Sequence, residues 1–89
     1  MDFKTKEGFI WMGEENDPDA YISYTLDKDI MQINHTVVKR RLEGQGIAGR
    51  LTDKAVEVAK ENSWKIRPIC SYAVRYFNKH EELKDMLAN

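Results

Sequence analysis

The residues that could do chemistry fall in three places: a glycine-bearing turn, one cysteine and one histidine. The turn is Arg41-Leu42-Glu43-Gly44-Gln45-Gly46-Ile47-Ala48-Gly49-Arg50-Leu51. A strand-like run precedes it and an amphipathic helix pattern follows. A backbone that passes from strand through glycines into a helix presents N–H groups with no internal partner, at the positive end of the helix dipole. That arrangement captures anions, phosphate above all. Gly44 and Gly46 leave room for a bulky anion and tolerate positive φ. The cluster Lys39-Arg40-Arg41 reads better as a small anion site than as a plain solvated loop or a DNA-binding face. Cys70 closes one strand pattern and opens a helix pattern, where the helix's positive end favours an anionic nucleophile. Its two readings are an inert core thiol and a nucleophile. His35 reads either as a histidine at the edge of the core or as a base for an ammonium substrate or for Cys70.

Those residues need elements to hold them. Gly8 to Met12 is a short strand candidate, and Gly13 to Asp19 an acidic turn full of breakers. Ala20 to Leu26 alternates with a period of two, and so does Ile30 to Val38, with Met31, Ile33, His35 and Val37 facing one way. Short turns join the three, which predicts an antiparallel meander. A helix follows over Gly46 to Glu61. Its apolar stripe of Ile47, Ala48, Leu51, Ala55, Val58 and Ala59 is about 120° wide, with Val56 outside it. Trp64 to Cys70 is the next strand, parallel to the one before because a helix joins them. Pro68 marks where it loses ladder partners. Ser71 to Lys79 is helical, and Glu81 to Leu87 forms a last turn or two. His35 lies on the strand before the helix and Cys70 ends the strand after it, so the two could approach across the gap. Glu43 and His80 read as surface residues, and Trp11, Trp64, Tyr21 and Tyr24 as core or sheet surface.

The glycine turn, with its flanking elements, resembles the acetyl-CoA motif of the GCN5-related N-acetyltransferases, (Gln/Arg)-x-x-Gly-x-(Gly/Ala), carried here by Arg41, Gly44 and Gly46. The resemblance covers roughly Ile22 to Lys79. It implies an α+β fold: the three-stranded meander, then a β-α-β unit whose parallel strands splay apart, then a C-terminal helix. It implies that backbone near Val37 and Val38 meets the pantetheine arm of acetyl-CoA. The N–H groups of Gly44, Gln45, Gly46, Ile47, Ala48 and Gly49 would meet the pyrophosphate, and Arg41 or Arg40 would add charge. The implied activity is acetyl transfer to an amine acceptor, with a relay through Cys70 as the variant this sequence invites. A CoA-binding module without activity is the alternative. The chain is shorter than typical members and lacks room for their lid helices and last strands. Where many members carry Asn, it has Cys70. Where they carry a Tyr that protonates the leaving thiolate, register offers Tyr76 or Phe77.

Composition narrows the rest. The 89 residues suffice for one domain, residues 1–89, with a small core. Hydrophobic content of 42% with 33% charged residues suits a globular chain. A net charge of −1 gives no reason to expect nucleic acid or a membrane surface as partner. One cysteine and two histidines make neither an internal disulfide nor a structural zinc site, and a cytoplasmic setting is the simplest expectation. No apolar run approaches the roughly 20 residues of a membrane span. No Gly-Lys-Ser/Thr follows the glycines, which argues against an ATP phosphate loop. The acceptor is left open between small molecule and protein, and the oligomeric state between monomer and weak homodimer.

Overall fold

A computed structural model describes residues 2–88. Five strands form one sheet in chain order: β1 (Lys4–Lys6), β2 (Phe9–Glu14), β3 (Asp17–Asp27), β4 (Ile30–Val38) and β5 (Lys65–Pro68). The first four are antiparallel neighbours, while β4 and β5 run parallel. Helix α1 (Ile47–Glu61) joins β4 to β5, and α2 (Ser71–Lys79) follows. The expected α+β architecture is the observed one. The meander is longer by β1, whose Lys-Thr-Lys sequence carries no apolar alternation to announce a strand. The breaker-rich segment from Gly13 to Asp19 is mostly strand, and Glu15-Asn16 alone makes the turn. The strand expected over Trp64 to Cys70 holds ladder geometry only from Lys65 to Pro68.

Both helices pack on one face of the sheet. Ile10, Ala20, Ile22, Tyr24, Met31 and Ile33 point to it and meet Leu51, Ala55 and Ala59 of α1 and Ala73, Tyr76 and Phe77 of α2 in one cluster. Val56 is buried in the same cluster, only 6% exposed, although it lies outside the apolar stripe. Thr52 is fully buried within α1, and its hydroxyl donates to the Ala48 carbonyl at 2.9 Å, so its polar atom is not orphaned.

Among the described residues no helix packs on the opposite face. Phe9 stacks on Trp11 there at 5.0 Å and leans on Tyr21 at 5.4 Å. Asn34 donates to Thr25, and Arg67 donates to Gln32. Two irregularities interrupt the ladders. One lies in β2–β3 beside Gly13. The other lies in β3–β4: Tyr24 pairs with Ile33 but Ser23 pairs with His35, so Asn34 is one residue too many. A bulge of this kind reverses the side on which all later residues point. Thr36 and Val38, opposite Ile22 and Ala20, therefore take the helix-covered face. His35 and Val37 take the uncovered one. The expected common face of Ile33 and His35 is thus corrected: an unbroken period of two would unite them, and the bulge parts them.

Candidate active site

Strands β4 and β5 pair from Ile30 to Ile33, and there the ladder ends. The Ile33 carbonyl accepts both the Ile69 N–H, at 3.0 Å, and the Cys70 N–H, at 3.1 Å. The chain then turns into α2 while β4 runs on to Val38. From Asn34 onward β4 is paired on its β3 side only. The Lys39 N–H donates to the Asp19 carbonyl on that side, at 2.9 Å. Because strand peptides alternate sides, the peptide groups of Thr36 and Val38 face the open edge.

At the end of β4 a 3₁₀ turn (Arg40–Leu42) leads to Gly44 and Gly46, with φ of 83° and 76°. Gly46 is the N-cap of α1, in the left-handed region, and no side chain caps the helix. The first backbone bond of α1 runs from the Arg50 N–H to the Gly46 carbonyl, at 3.2 Å. The N–H groups of Ile47, Ala48 and Gly49 are therefore free of helix partners, and no acidic side chain stands in the first turn. A Cβ added at Gly44 or Gly46 would meet nothing within 4 Å. That empty space belongs to a cavity of about 610 Å³. Thr36, Val37 and Val38 wall it on one side, residues 42–44 and 46–49 form its floor, and Ser71, Tyr72 and Arg75 of α2 close the other side. The volume lies in the range of small-ligand sites.

Of the residues singled out in the sequence, Val37, Val38, Gly44, Gly46, Ile47, Ala48 and Gly49 line this cavity. Gln45 is exposed and stands outside the lining. Arg41 is also outside it. Its guanidinium donates to the Asp19 carboxylate at 2.8 Å, and Lys39 reaches Asp17 and Asp19 at 3.2 and 3.4 Å. The acidic residues of the β2–β3 hairpin thus hold two of the three cations expected at the anion site. The cation that does line the cavity is Arg75, on the exposed side of α2. Its spacing from Ser71 and Tyr72, one turn of helix, is the signal that could have found it.

Cys70 is the N-cap of α2, half-buried, and its Sγ accepts the Ala73 N–H at 3.4 Å. The same sulfur lies 3.4 Å from the Thr36 hydroxyl. His35 is exposed on the opposite face, and no hydrogen bond joins it to Cys70 among the described residues.

The two tyrosines of α2 divide their roles. Tyr76 is buried against α1, donates to the Asp53 carboxylate and stacks on His80 at 4.0 Å. Burial first, then the Asp53 bond and charge, raise its phenol well above the ordinary tyrosine range. Phe77 is also buried in the core. Neither position expected for a thiolate-protonating group therefore reaches the cavity. Tyr72 does, with its hydroxyl 3.6 Å from where a Cβ on Gly49 would stand. Its phenol is raised by burial and by Asp53, and partly lowered again by Arg75.

A family model described as GCN5-related N-acetyl-transferase matches residues 8–86. The chain belongs to that family. A solution structure of a GCN5-like protein from Staphylococcus aureus is 33% identical with a TM-score of 0.81, over 99% of this chain and 88% of that one. A GNAT-family structure from Desulfovibrio desulfuricans, 17% identical, gives a TM-score of 0.61 over 82% of this chain and 52% of its own. A ribosomal-protein-alanine N-acetyltransferase from Brucella melitensis biovar Abortus, 18% identical, gives 0.60 over 91% and 62%. These last two share the fold, in chains this one only partly spans. No curated protein gives a significant match. Membership of the GCN5-related family makes the protein an acyltransferase in kind, and among the described residues no helix is long and apolar enough to cross a membrane.

Proposed function

We propose that this protein transfers an acetyl group from acetyl-CoA to an amine. The observation that carries the reading is the meeting of two features in one cavity: the free N–H groups at the start of α1, and the unpaired edge of β4. An elongated ligand with a phosphate end and an amide-bearing arm fits both. The N–H groups of Ile47, Ala48 and Gly49 take the pyrophosphate, and the glycines leave its oxygens room. The Thr36 and Val38 peptides take the amides of the arm, much as a neighbouring strand would. Arg75 adds positive charge at the rim.

Acetyl-CoA, when bound, supplies a thioester whose carbonyl carbon accepts an amine. An N–H at the open edge of β4 steadies the oxygen that gains charge. His35 takes the proton that the attacking amine loses as the N–C bond forms. Tyr72 keeps its proton at neutral pH and gives it to the leaving sulfur as the C–S bond breaks, and solvent restores it. Direct attack is the favoured route. A relay through Cys70 needs a base at Sγ, and the groups in contact with it are the Thr36 hydroxyl and the Ala73 N–H, neither of which is one. Cys70 instead fixes the start of α2 against β4.

Titration with acetyl-CoA, followed by amide NMR, tests the reading. The signals of Val38 and residues 44–49 should move most, with Cys70 close behind, and turnover with an amine should fall about a hundredfold in His35→Gln while coenzyme affinity stays the same. Shifts confined to another surface would refute it.

A further inference from the structure

The cavity walls bring little charge to an anion. Among the lining residues Arg75 is the one cation and Glu43 the one carboxylate, so their formal charges cancel. The free N–H groups of α1 must hold a phosphate largely by themselves. Of the three cations in the segment that leads into the turn, two are already engaged. The Arg41 guanidinium lies 2.8 Å from one Asp19 carboxylate oxygen, and Lys39 lies 3.4 Å from the same oxygen and 3.2 Å from Asp17. Asp19 is the least exposed of these four side chains. The fold makes a place for its carboxylate. Gly13 has φ of 92° beside the irregularity in the β2–β3 ladder, and a Cβ on it would come within 2.9 Å of an Asp19 carboxylate oxygen.

These ion pairs are not what holds the segment in place. Backbone bonds do so: the Lys39 N–H donates to the Asp19 carbonyl at 2.9 Å, the Leu42 N–H to the Lys39 carbonyl at 2.9 Å and the Glu43 N–H to the Arg40 carbonyl at 3.1 Å. Loss of the Asp19 carboxylate would therefore release Arg41 without moving the turn, while Asp17 still holds Lys39. Arg41 runs straight into Leu42 and Glu43, which line the cavity, and its exposed side chain is free to change rotamer toward the mouth. We propose that Asp19 sets the coenzyme affinity by competing with the phosphate for Arg41. The carboxylate is a resident anion, and the guanidinium fork suits carboxylate and phosphate alike. This rests on the acetyl-transfer reading, in which the phosphate lies at the start of α1. With the pair intact the coenzyme is held by backbone and Arg75 alone. The consequence is a looser grip and a faster release of CoA after transfer, since affinity changes of this kind fall mainly on the off-rate.

Calorimetric titration with CoA tests this at about 0.01 M and about 1 M salt, between which the screening length falls from about 30 Å to about 3 Å. Asp19→Ala should bind CoA about fivefold more tightly than the parent at low salt, the upper end for one exposed ion contact, and within about twofold of it at high salt. Asp19→Asn keeps an acceptor without the charge and should gain about threefold in the same direction. In an Arg41→Ala background, Asp19→Ala should gain less than about twofold. Asp27→Ala is the control for net charge. It removes the same charge at the far end of β3, roughly 26 Å along the strand, and should leave affinity within about twofold. Should Asp19→Ala lose its cooperative urea transition, Asp19→Asn carries the comparison. Affinity unchanged or weakened in the folded Asp19 variants, or a gain that persists in full without Arg41, overturns the inference and spares the acetyl-transfer reading. Failure of the parent to bind CoA overturns both.

Discussion

Gly46→Ala separates the two reasons for a glycine at the head of α1. With φ at 76°, an alanine there pays the left-handed penalty of about 1–2 kcal/mol, and the loss of unfolded-state freedom returns about 0.4–1 kcal/mol. No clash adds to this, since the new methyl meets nothing within 4 Å. The net cost is about 1 kcal/mol, a fall in Tm of about 4–8 °C for a domain of this size. Binding should suffer more. The methyl stands in the cavity beside the free N–H groups and displaces the phosphate from at least one charge-assisted hydrogen bond, about 1.5–3 kcal/mol. That weakens the CoA Kd by about tenfold to a hundredfold. Gly8→Ala is the control. Its φ is 87° and its Cβ comes within 3.2 Å of the Tyr24 carbonyl, so it bears the strain far from the cavity. Calorimetric titration with CoA, well below the lower Tm, gives Kd for each variant. Parent-like affinity in Gly46→Ala, or equal loss in both variants, would refute the assignment of these amides to the phosphate.

Arg41→Ala should leave CoA affinity within twofold, because it breaks only the exposed pair with Asp19, whereas Arg75→Ala should weaken it by up to about fivefold in low salt, read by the same titration. Cys70→Ala removes the sulfur that caps α2 and should cost about 0.5–1 kcal/mol by urea unfolding, with transfer kept within a few-fold; total loss of transfer with intact CoA binding would replace direct attack by the relay. Tyr76→Phe tests the pH dependence of stability. The folded phenol titrates above its unfolded value, so its contribution is full below about pH 10 and is lost as pH rises through the folded value. The variant should be less stable by about 1 kcal/mol at pH 7, and its urea midpoint should fall less steeply between pH 9 and pH 11, roughly the range that brackets the free phenol.

The turn carried most of the site in its own sequence. Free amides at a helix start depend on glycine, on a helix pattern after it and on a strand before it, all of which are local. For the same reason the parallel pair was legible, and so was the loss of ladder at Pro68. What escaped were relations between segments distant in the chain. Arg41 looks like a phosphate ligand until the hairpin around Asp19 folds beside it. Tyr76 and Phe77 fit the family's spacing, but α2 turns both into the core and presents Tyr72 instead. Val56 falls outside the stripe yet is buried in the shared cluster. The three-residue β1 is a strand by pairing alone, which no pattern in Lys-Thr-Lys encodes.

The bulge at Asn34 has the largest functional consequence, and its sequence is silent because Asn34 suits either register. With unbroken alternation His35 would sit beside Ile33 beneath the helices, in reach of Cys70, and a base-activated thiol would be the natural reading. The extra residue sends His35 to the uncovered face and brings Thr36 to the sulfur. Imidazole and thiol then lie on opposite faces of the sheet. Under the proposed acetyl-transfer reading, such a division suits two substrates that enter from opposite faces: one held by the backbone of α1 and β4, the other met by His35. A deletion of Asn34 would make the ladder regular while leaving His35 opposite Ser23 on the uncovered face, so by this reasoning it should keep more turnover with an amine than His35→Gln does.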